Sequence, residues 1–151
     1  MRFLPVLGVL AFCTSLFAAD VILEAGNNDG HDAGWAARSE AGVNSWGLKG
    51  HSDGTVESGD IWFNSFPGAD GTYIVTFKIV IEDDGDPLYK ISAGGRTLKE
   101  GSFPWTGGCE KTTRIGEIDC GIHTINNGEK INIWGSSIYH CEDNGTYHGA
   151  Y

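Results

Sequence analysis

Residues 71–81 alternate in character with a period of two. One set consists of large apolar side chains, Tyr73, Val75, Phe77, Ile79 and Ile81, and the other contains Thr72, Ile74, Thr76, Lys78 and Val80. Because successive side chains of a β-strand point to opposite faces, this pattern predicts a long strand with one face in a core and the other partly covered. No window of residues 20–151 holds a 3.6-residue apolar period over three helical turns, so we predict an all-β chain.

Shorter apolar runs separated by turn signals extend this prediction along the chain. We predict strands at Val21–Glu24, Asp60–Phe66, Leu88–Ala93, Ile122–Ile125 and Lys130–Trp134. Asp83–Asp86 and Asn126–Gly128 have the composition of hairpin turns, and Gly94-Gly95 predicts another tight turn. Glycine accounts for 23 of the 151 residues, which favours many turns over long helices. The predicted fold is an antiparallel β-sandwich or jelly roll, in one domain that spans residues 20–151.

The first 19 residues have the features of a secretory signal peptide. Arg2 supplies the positive start, Phe3–Phe17 is mostly apolar, and Ala18-Ala19 provides small residues at the exit. The apolar run is too short and too interrupted for a membrane span of about 20 residues. We therefore predict cleavage that leaves a chain beginning near Asp20, and a secreted protein, with periplasmic and cell-surface locations as alternatives.

The charge balance excludes two classes of partner. Acidic residues outnumber basic ones 20 to 10, for a net charge of −10. A nucleic-acid binder needs a basic face that displaces counterions from phosphate, and the chain has no Lys/Arg cluster to form one. Binding to an anionic membrane surface is disfavoured for the same reason. We predict neither a nucleic-acid nor a membrane partner, which leaves cations and neutral polar ligands.

Three cysteines follow the predicted signal peptide, namely Cys109, Cys120 and Cys141. Thiols in a small exported domain usually pair. The spacings allow Cys109–Cys120 or Cys120–Cys141, and the remaining thiol would then be buried or paired with another molecule. No CxxC or His/Cys spacing indicates a structural zinc site.

Two stretches rich in turn residues, Gly26–Ser58 and Ser102–Glu117, and the tail from Ser136 are predicted to be loops. Loops on a rigid sandwich commonly carry binding residues. A flat indole or phenol ring covers the apolar face of a sugar at little entropic cost, while neighbouring amides and imidazoles read the hydroxyl groups. We predict carbohydrate-binding residues of this kind in the loops, namely Trp35, Trp46, Trp105, Asn44, His51 and Tyr147. The alternative is that the tryptophans plug the ends of the sandwich.

Several of these segments, taken in order, resemble the galactose-binding-like jelly rolls. The matching positions are Gly71-Thr72-Tyr73, Phe77, Asp83–Asp86, Tyr89-Lys90-Ile91, Gly95, Thr112-Thr113-Arg114 and Gly128–Gly135. Within that group, the chain is similar to the carbohydrate-binding modules of families six and thirty-five, which are often appended to secreted polysaccharide-degrading enzymes. The resemblance covers roughly Val21 to Tyr151.

This resemblance implies a non-catalytic module that recognises a polysaccharide or oligosaccharide. Glu24 is similar to the opening glutamate of these modules, which in many members ligates a structural calcium ion. The resemblance therefore implies calcium as a structural cofactor. Members normally close with a further strand that carries another acidic ligand, and this chain stops at 149–151, so the implied domain lacks its last strand.

Two other functions remain as alternatives. One is a secreted structural or adhesive protein with a calcium-stabilised acidic sandwich, although the carboxylates at 82–86 lack the D-x-D-x-D-G spacing of a calcium loop and are typical of a solvated turn. The other is a small hydrolase that uses His31-Asp32 or His51 with Asp53. The chain contains no G-x-S-x-G or H-E-x-x-H motif, so we predict no enzymatic activity.

Overall fold

A computed structural model describes residues 20–40, 42–48, 56–82, 87–103, 113–137, 142–143 and 146–147. The elements in these ranges are a 3₁₀ turn at Ala25–Asn27 and strands β1 Gly30–His31, β2 Trp35–Glu40, β3 Val43–Leu48, β4 Ser58–Phe63, β5 Gly71–Glu82, β6 Leu88–Ala93, β7 Arg96–Ser102, β8 Thr113–Ile125, β9 Ile131–Ser136, β10 Glu142–Asp143 and β11 Thr146–Tyr147. Within the same ranges no helix has the length and apolar character needed to cross a bilayer.

Two antiparallel layers form the body of the described chain. The major layer has the strand order β1-β4-β9-β6-β7, and the minor layer consists of β5 paired with β8. Two further antiparallel pairs, β2 with β3 and β10 with β11, complete the described sheets. The predicted class, an all-β antiparallel sandwich, is confirmed.

The hydrophobic core lies between the two layers. Both layers contribute its buried members, namely Phe63, Phe66, Ile91, Ala93, Leu98, Cys120, Ile125 and Ile131. Tyr73, Val75 and Phe77 on β5 pack against this cluster, whereas Ile74 of the same strand is 77% exposed. The period-two prediction for residues 71–81 is therefore confirmed, because alternate side chains face the core and the solvent.

The tight turn predicted at Gly94-Gly95 is also confirmed. Both residues have positive φ, +54° and +79°, and they join β6 to β7 as a hairpin. Two consecutive residues of positive φ are the requirement of the hairpin turn whose twist matches that of the flanking strands, and glycine meets it without steric cost.

The two other hairpin predictions are wrong about pairing. β5 pairs with β8, and β6 pairs with β7 and β9, so the two strands that flank 83–86 belong to different layers. Likewise β8 does not pair with β9, which lies between β4 and β6. Turn composition reports a change of direction, and it does not say which strand the chain meets afterwards.

Two predictions about the first third of the chain need correction. Residues 21–24 pair with no strand in the described structure, although Val21 and Leu23 pack against the core. The stretch Gly26–Ser58, predicted to be a loop, contains β1, β2 and β3. Small and polar residues on β2 and β3 leave only a weak strand pattern in the sequence, because only one face of this hairpin carries large apolar side chains.

Cys120 carries a free thiol in the structure, so neither disulfide that the spacings allowed through this residue is present. It lies on the inner side of β8, 5% exposed within the core cluster. Burial is the largest cause that raises the pKa of this thiol, and nearby Lys99 partly opposes it. Cys120 therefore behaves as a small apolar core residue. Cys109, Cys141 and the predicted signal peptide at 1–19 lie outside the described residues.

Candidate functional site

The outer face of the major layer carries a row of three chemically different side chains. Trp134 on the central strand β9 is in register with Asp60 on β4 and with Lys90 on β6. Neighbouring strands lie about 4.8 Å apart, so the carboxylate and the ammonium flank the indole on opposite sides. We call this set the Trp134 row.

A second row lies two residues away along the same strands. Asn132 on β9 is in register with Trp62 on β4 and with Ser92 on β6. Because side chains two apart on a strand share a face, this Asn132 row and the Trp134 row form one continuous surface.

The alternation of the three strands places these residues outside the core. Ile61 and Phe63 on β4 and Ile131 on β9 are buried between the layers. Their neighbours in sequence, including Trp62 and Asn132, must therefore point away from the core. Because one alternating set of residues on these strands is buried, the residues between them face away from the core.

A groove of about 410 Å³ lies over this surface. It is lined by Asp60, Lys90, Ser92, Gly95, Asn132 and Trp134. Gly95 belongs to the β6–β7 turn and has no side chain that would close this end of the groove. The groove therefore combines one large aromatic surface with polar groups of both hydrogen-bonding types.

Hydrogen bonds within the groove hold two of its polar groups in place. The Asn132 side-chain amide donates to Asp60 Oδ1. The Ser92 hydroxyl donates to the Asn132 backbone carbonyl at 3.5 Å. The Asp60 carboxylate keeps its second oxygen as an acceptor, so it can still receive a hydrogen bond from a ligand.

Trp62, the β4 member of the Asn132 row, lies on the same outer face of the sheet beside the groove. A side chain at Gly30 would place its Cβ 2.4 Å from Trp62 Cζ2, so the indole lies across the backbone of β1 where only glycine leaves room. The Lys130 ammonium lies 4.6 Å from the centroid of the Trp62 ring. This distance is that of a cation–π contact, which occupies a face of Trp62.

The structure brings two of the predicted binding residues together on β3. Trp46 and Asn44 share a face of the β2–β3 hairpin, with Asn44 exposed and Trp46 half-buried. The exposed ring of His31 lies 4.2 Å from the ring of Trp46 at an interplanar angle of 46°. His31 therefore lies beside Trp46, and both Trp46 and Asn44 lie on a strand rather than in the predicted loop.

Trp35 also lies on a strand, β2, rather than in the predicted loop. It lines an apolar void of about 40 Å³ at the end of the sandwich, together with the buried residues Leu48 and Ile79. Gly135 allows this approach, since a Cβ there would lie 3.1 Å from Trp35 Cζ2. The indole N–H of Trp35 has no acceptor among the described residues. This environment matches the end-plug alternative.

The comparisons with known proteins give a likeness among solved structures. No family model and no curated protein matches the chain. Among solved structures, the chain is similar to the C-terminal CBM6 of LamC, a marine laminarinase from Zobellia galactanivorans, at 19% sequence identity and a TM-score of 0.40. The match covers 75% of this chain and 94% of that one. Because the TM-score is below 0.5, the function proposed below rests on this chain's own residues.

The remaining predicted site residues are untested. His51 and Trp105 lie outside the described residues, and Tyr147 is described only through its place on β11. Glu24 is exposed and accepts a hydrogen bond from the Asn27 side-chain amide at 3.3 Å. No cluster of three or more metal-ligating side chains occurs among the residues that the structure describes. A calcium role for Glu24 stays a prediction.

Sequence reasoning missed the groove because it assigned binding to loops and structure to strands. Trp62 and Trp134 fall within predicted strands, whereas every predicted binding residue was placed in a loop. The available signal was the alternation itself, since Ile131 and Ile133 share the face toward the core and Trp134, the next residue, must lie on the outer face.

Proposed function

We propose that this domain is a non-catalytic carbohydrate-binding module whose ligand lies in the groove over Trp134. The observation that carries the proposal is the Trp134 row, in which an indole on the central strand is flanked by Asp60 and Lys90. A sugar ring stacked on the indole would present its equatorial edge to an acceptor on one side and to a donor on the other.

The mechanism combines stacking with a few oriented hydrogen bonds. The backbone of three adjacent strands fixes the spacing of the groups, so little conformational entropy is lost when a ligand binds. The groove is open to solvent and its lining is part polar and part apolar, which leaves both partners largely hydrated. We therefore expect modest affinity, with a dissociation constant of the order of micromolar to millimolar.

The composition of the groove favours binding over cleavage. Hydrolysis of a glycosidic bond normally needs a pair of carboxyl groups on either side of the bond. The lining of the groove contains one, Asp60, and it is hydrogen-bonded to Asn132. An ammonium, an amide and a hydroxyl are suited to hydroxyl recognition, and the Ser92 hydroxyl donates to the Asn132 backbone carbonyl rather than to a base that would activate it.

The test compares two tryptophans. Binding of the purified protein to a glycan array identifies a ligand, and its affinity is then measured for Trp134→Ala and Trp46→Ala, with circular dichroism as the check on folding. We expect Trp134→Ala to weaken binding by at least about tenfold, as for a central aromatic contact, and Trp46→Ala to leave it within about twofold. Trp134→Phe keeps an aromatic surface and should retain much of the affinity.

Either of two results would overturn this proposal. The first is that the folded protein binds no glycan on the array. The second is that Trp46→Ala abolishes binding while Trp134→Ala leaves it intact, which would move the site to the surface formed by Trp46, Asn44 and His31. Secretion is a separate proposal, carried by the features of residues 1–19.

A further inference from the structure

Two isoleucines lie side by side and exposed on the outer face of the minor layer. Ile74 on β5 is in register with Ile122 on β8, and their side chains are 77% and 69% exposed. Single exposed apolar side chains are ordinary in soluble proteins, but directly opposite residues of two paired strands touch and form one apolar patch. Such a patch gains free energy when a second apolar surface covers it.

Two rows of polar side chains continue this face along the same strands. Thr76 is in register with Asp119, and Lys78 is in register with Glu117. All four residues are exposed, and neither Lys78 nor Glu117 takes part in an ion pair of the described structure. The minor-layer face is the name we give to the three rows together, which consist of Ile74 with Ile122, Thr76 with Asp119, and Lys78 with Glu117.

The minor-layer face is complementary to a second copy of itself. A two-fold axis that runs parallel to the strands, between β5 and β8, places β5 of one copy over β8 of the other. Each row then faces the same row of the second copy, with its two members exchanged. Facing sheets of a sandwich align their strands to within about 30°, so this axis gives an ordinary contact between sheets.

This exchange matches the chemistry of every row. Lys78 faces Glu117 of the second copy, and Ile74 faces Ile122. Asp119 faces Thr76, whose hydroxyl can donate a hydrogen bond to the carboxylate. Asp119 Oδ1 already accepts the Gly121 backbone N–H at 2.8 Å, which leaves Oδ2 for this contact. Because the arrangement is symmetric, each contact occurs twice.

The charges disfavour the other way of stacking two copies at these rows. A two-fold axis that crosses the strands at the charged rows places β8 over β8, so that Glu117 faces either itself or Asp119 of the second copy. Like charges that face each other suppress such an arrangement. The net charge of −10 opposes association at long range, but physiological salt screens it over about 8 Å. The residues in contact therefore decide the arrangement.

The size of the minor layer predicts a weak association. β5 spans 12 residues, which is about 40 Å of strand, and two strands are about 10 Å wide. The layer thus offers about 400 Å² to each copy, roughly half of what a standard protein interface buries per partner. We expect a dissociation constant of the order of micromolar to millimolar.

We propose that this protein self-associates through the minor-layer face into a two-fold symmetric dimer, in which Lys78 of each copy faces Glu117 of the other beside the paired isoleucines. The outer faces of the two major layers then point in opposite directions. Four stacked layers have three spacings of about 10 Å, so these faces lie about 30 Å apart. One consequence rests on the proposed function, namely that the two grooves over Trp134 join two glycan chains.

The test is sedimentation velocity of the purified protein over a series of concentrations up to about 1 mM. We expect the mass to rise from that of one chain toward that of two. Lys78→Glu and Glu117→Lys should each weaken association by at least about tenfold, because each brings like charges into contact. The double variant Lys78→Glu/Glu117→Lys should restore it, since the exchanged charges again face their opposites.

Glu100→Lys is the matched control. Glu100 is exposed on β7 of the major layer and is in register with Lys90, so this variant places two lysines side by side within one chain, as Glu117→Lys does. It should leave association unchanged. Ile122→Thr keeps a β-branched residue but removes part of the apolar patch, and should weaken association by about tenfold. Circular dichroism and the melting temperature of dilute protein show whether each variant folds.

The failures of the two proposals are distinguishable. A mass of one chain at every concentration, as expected if another molecule or another part of this chain covers the face, would overturn the dimer. Association that remains unchanged in Lys78→Glu, Glu117→Lys and Ile122→Thr would place the contact on another surface and would also overturn it. Dimerisation without binding to any glycan on the array would overturn the proposed function and leave the dimer. A dimer that binds a soluble glycan without cross-linking it, measured by turbidity, would overturn the joining of chains alone.

Discussion

Gly30 shows how a single missing side chain makes room for the Trp62 indole. The Trp62 indole lies over the backbone of β1 at this position, and a Cβ there would approach its ring carbons to 2.4 Å and 2.6 Å. Gly30 does not have a positive φ, so its backbone conformation is open to other residues. Space alone therefore requires glycine here, and Trp62 keeps its place beside Asn132 because that space exists.

Gly30→Ala is expected to displace the Trp62 indole and to lower the free energy of unfolding by about 1 kcal/mol or more, as for overpacking elsewhere. Denaturant unfolding measures the loss, and the tryptophan emission spectrum reports the altered ring environment. Gly26→Ala is the control, because Gly26 has nothing within 4 Å of the added Cβ. Equal stability of the two variants would contradict this account of Trp62.

Cys120 supplies a second prediction from one buried side chain. The thiol is 5% exposed and burial raises its pKa, so we expect it to resist alkylation by iodoacetamide in the native protein. Peptide mass mapping separates it from the other cysteines, and labelling should become complete in denaturant. Rapid labelling of Cys120 under native conditions would show that the core is open at β8.

Among the elements, the turn from β8 to β9 is held by a set of polar contacts. The Glu129 carboxylate accepts hydrogen bonds from Arg96 Nη2 at 2.8 Å and from the Asn126 side-chain amide at 2.9 Å. Arg96 also donates to the Thr124 carbonyl at 3.1 Å. The β6–β7 hairpin is thereby attached to the turn that leads into the central strand of the major layer.

This turn gives the protein a predicted sensitivity to acid. Desolvation raises the pKa of Glu129, but the hydrogen bonds from Asn126 and Arg96 and the charge of Arg96 outweigh it and lower the pKa overall. A carboxyl group whose pKa is lower in the folded than in the unfolded state stabilises the fold at pH values above its unfolded-state pKa of about 4.3. This contribution is lost as the pH falls through the folded-state pKa.

We therefore expect the melting temperature of the wild type to fall more steeply than that of Glu129→Gln between about pH 5 and pH 3. The variant should be less stable at neutral pH, where the carboxylate is ionised and paired. If the melting temperatures of the wild type and of Glu129→Gln fell equally with pH across this range, the Glu129 contacts would contribute nothing to stability.

The elements were predictable from the sequence to the extent that local pattern determines them. Alternation in residues 71–81 and the glycines at 94–95 have one structural solution each, and both were predicted. The hairpin of β2 and β3 was missed because alanine, serine and glycine occupy much of it. Strand pairing was the least predictable feature, because the partner of a strand depends on the whole chain and is not encoded in the local sequence of that strand.

At the scale of the whole molecule, the groove could not be predicted from the sequence, because strand pairing brings its residues together. Asp60, Lys90 and Trp134 are separated by tens of residues, and only the order β4-β9-β6 makes them neighbours. The face to which each of them points was predictable from alternation. Their proximity was not, because the turn before β9 was predicted to form a hairpin with β8.

Processing of the whole chain gives a further prediction. If residues 1–19 are a signal peptide, the intact mass of the exported protein corresponds to a chain that begins at or next to Asp20. Mass spectrometry of protein recovered from the culture medium or periplasm measures this. A mass that still includes residues 1–19 would contradict the prediction.

The central position of β9 has a consequence for how this molecule acquires its activity. β9 begins at Ile131, yet it fills the gap between strands that start at Ser58 and Leu88. Trp134 therefore docks only after residues 58–136 have all been made, and closing such long loops is slow. Chains that end before this strand would lack Trp134 and with it the surface proposed to bind a glycan.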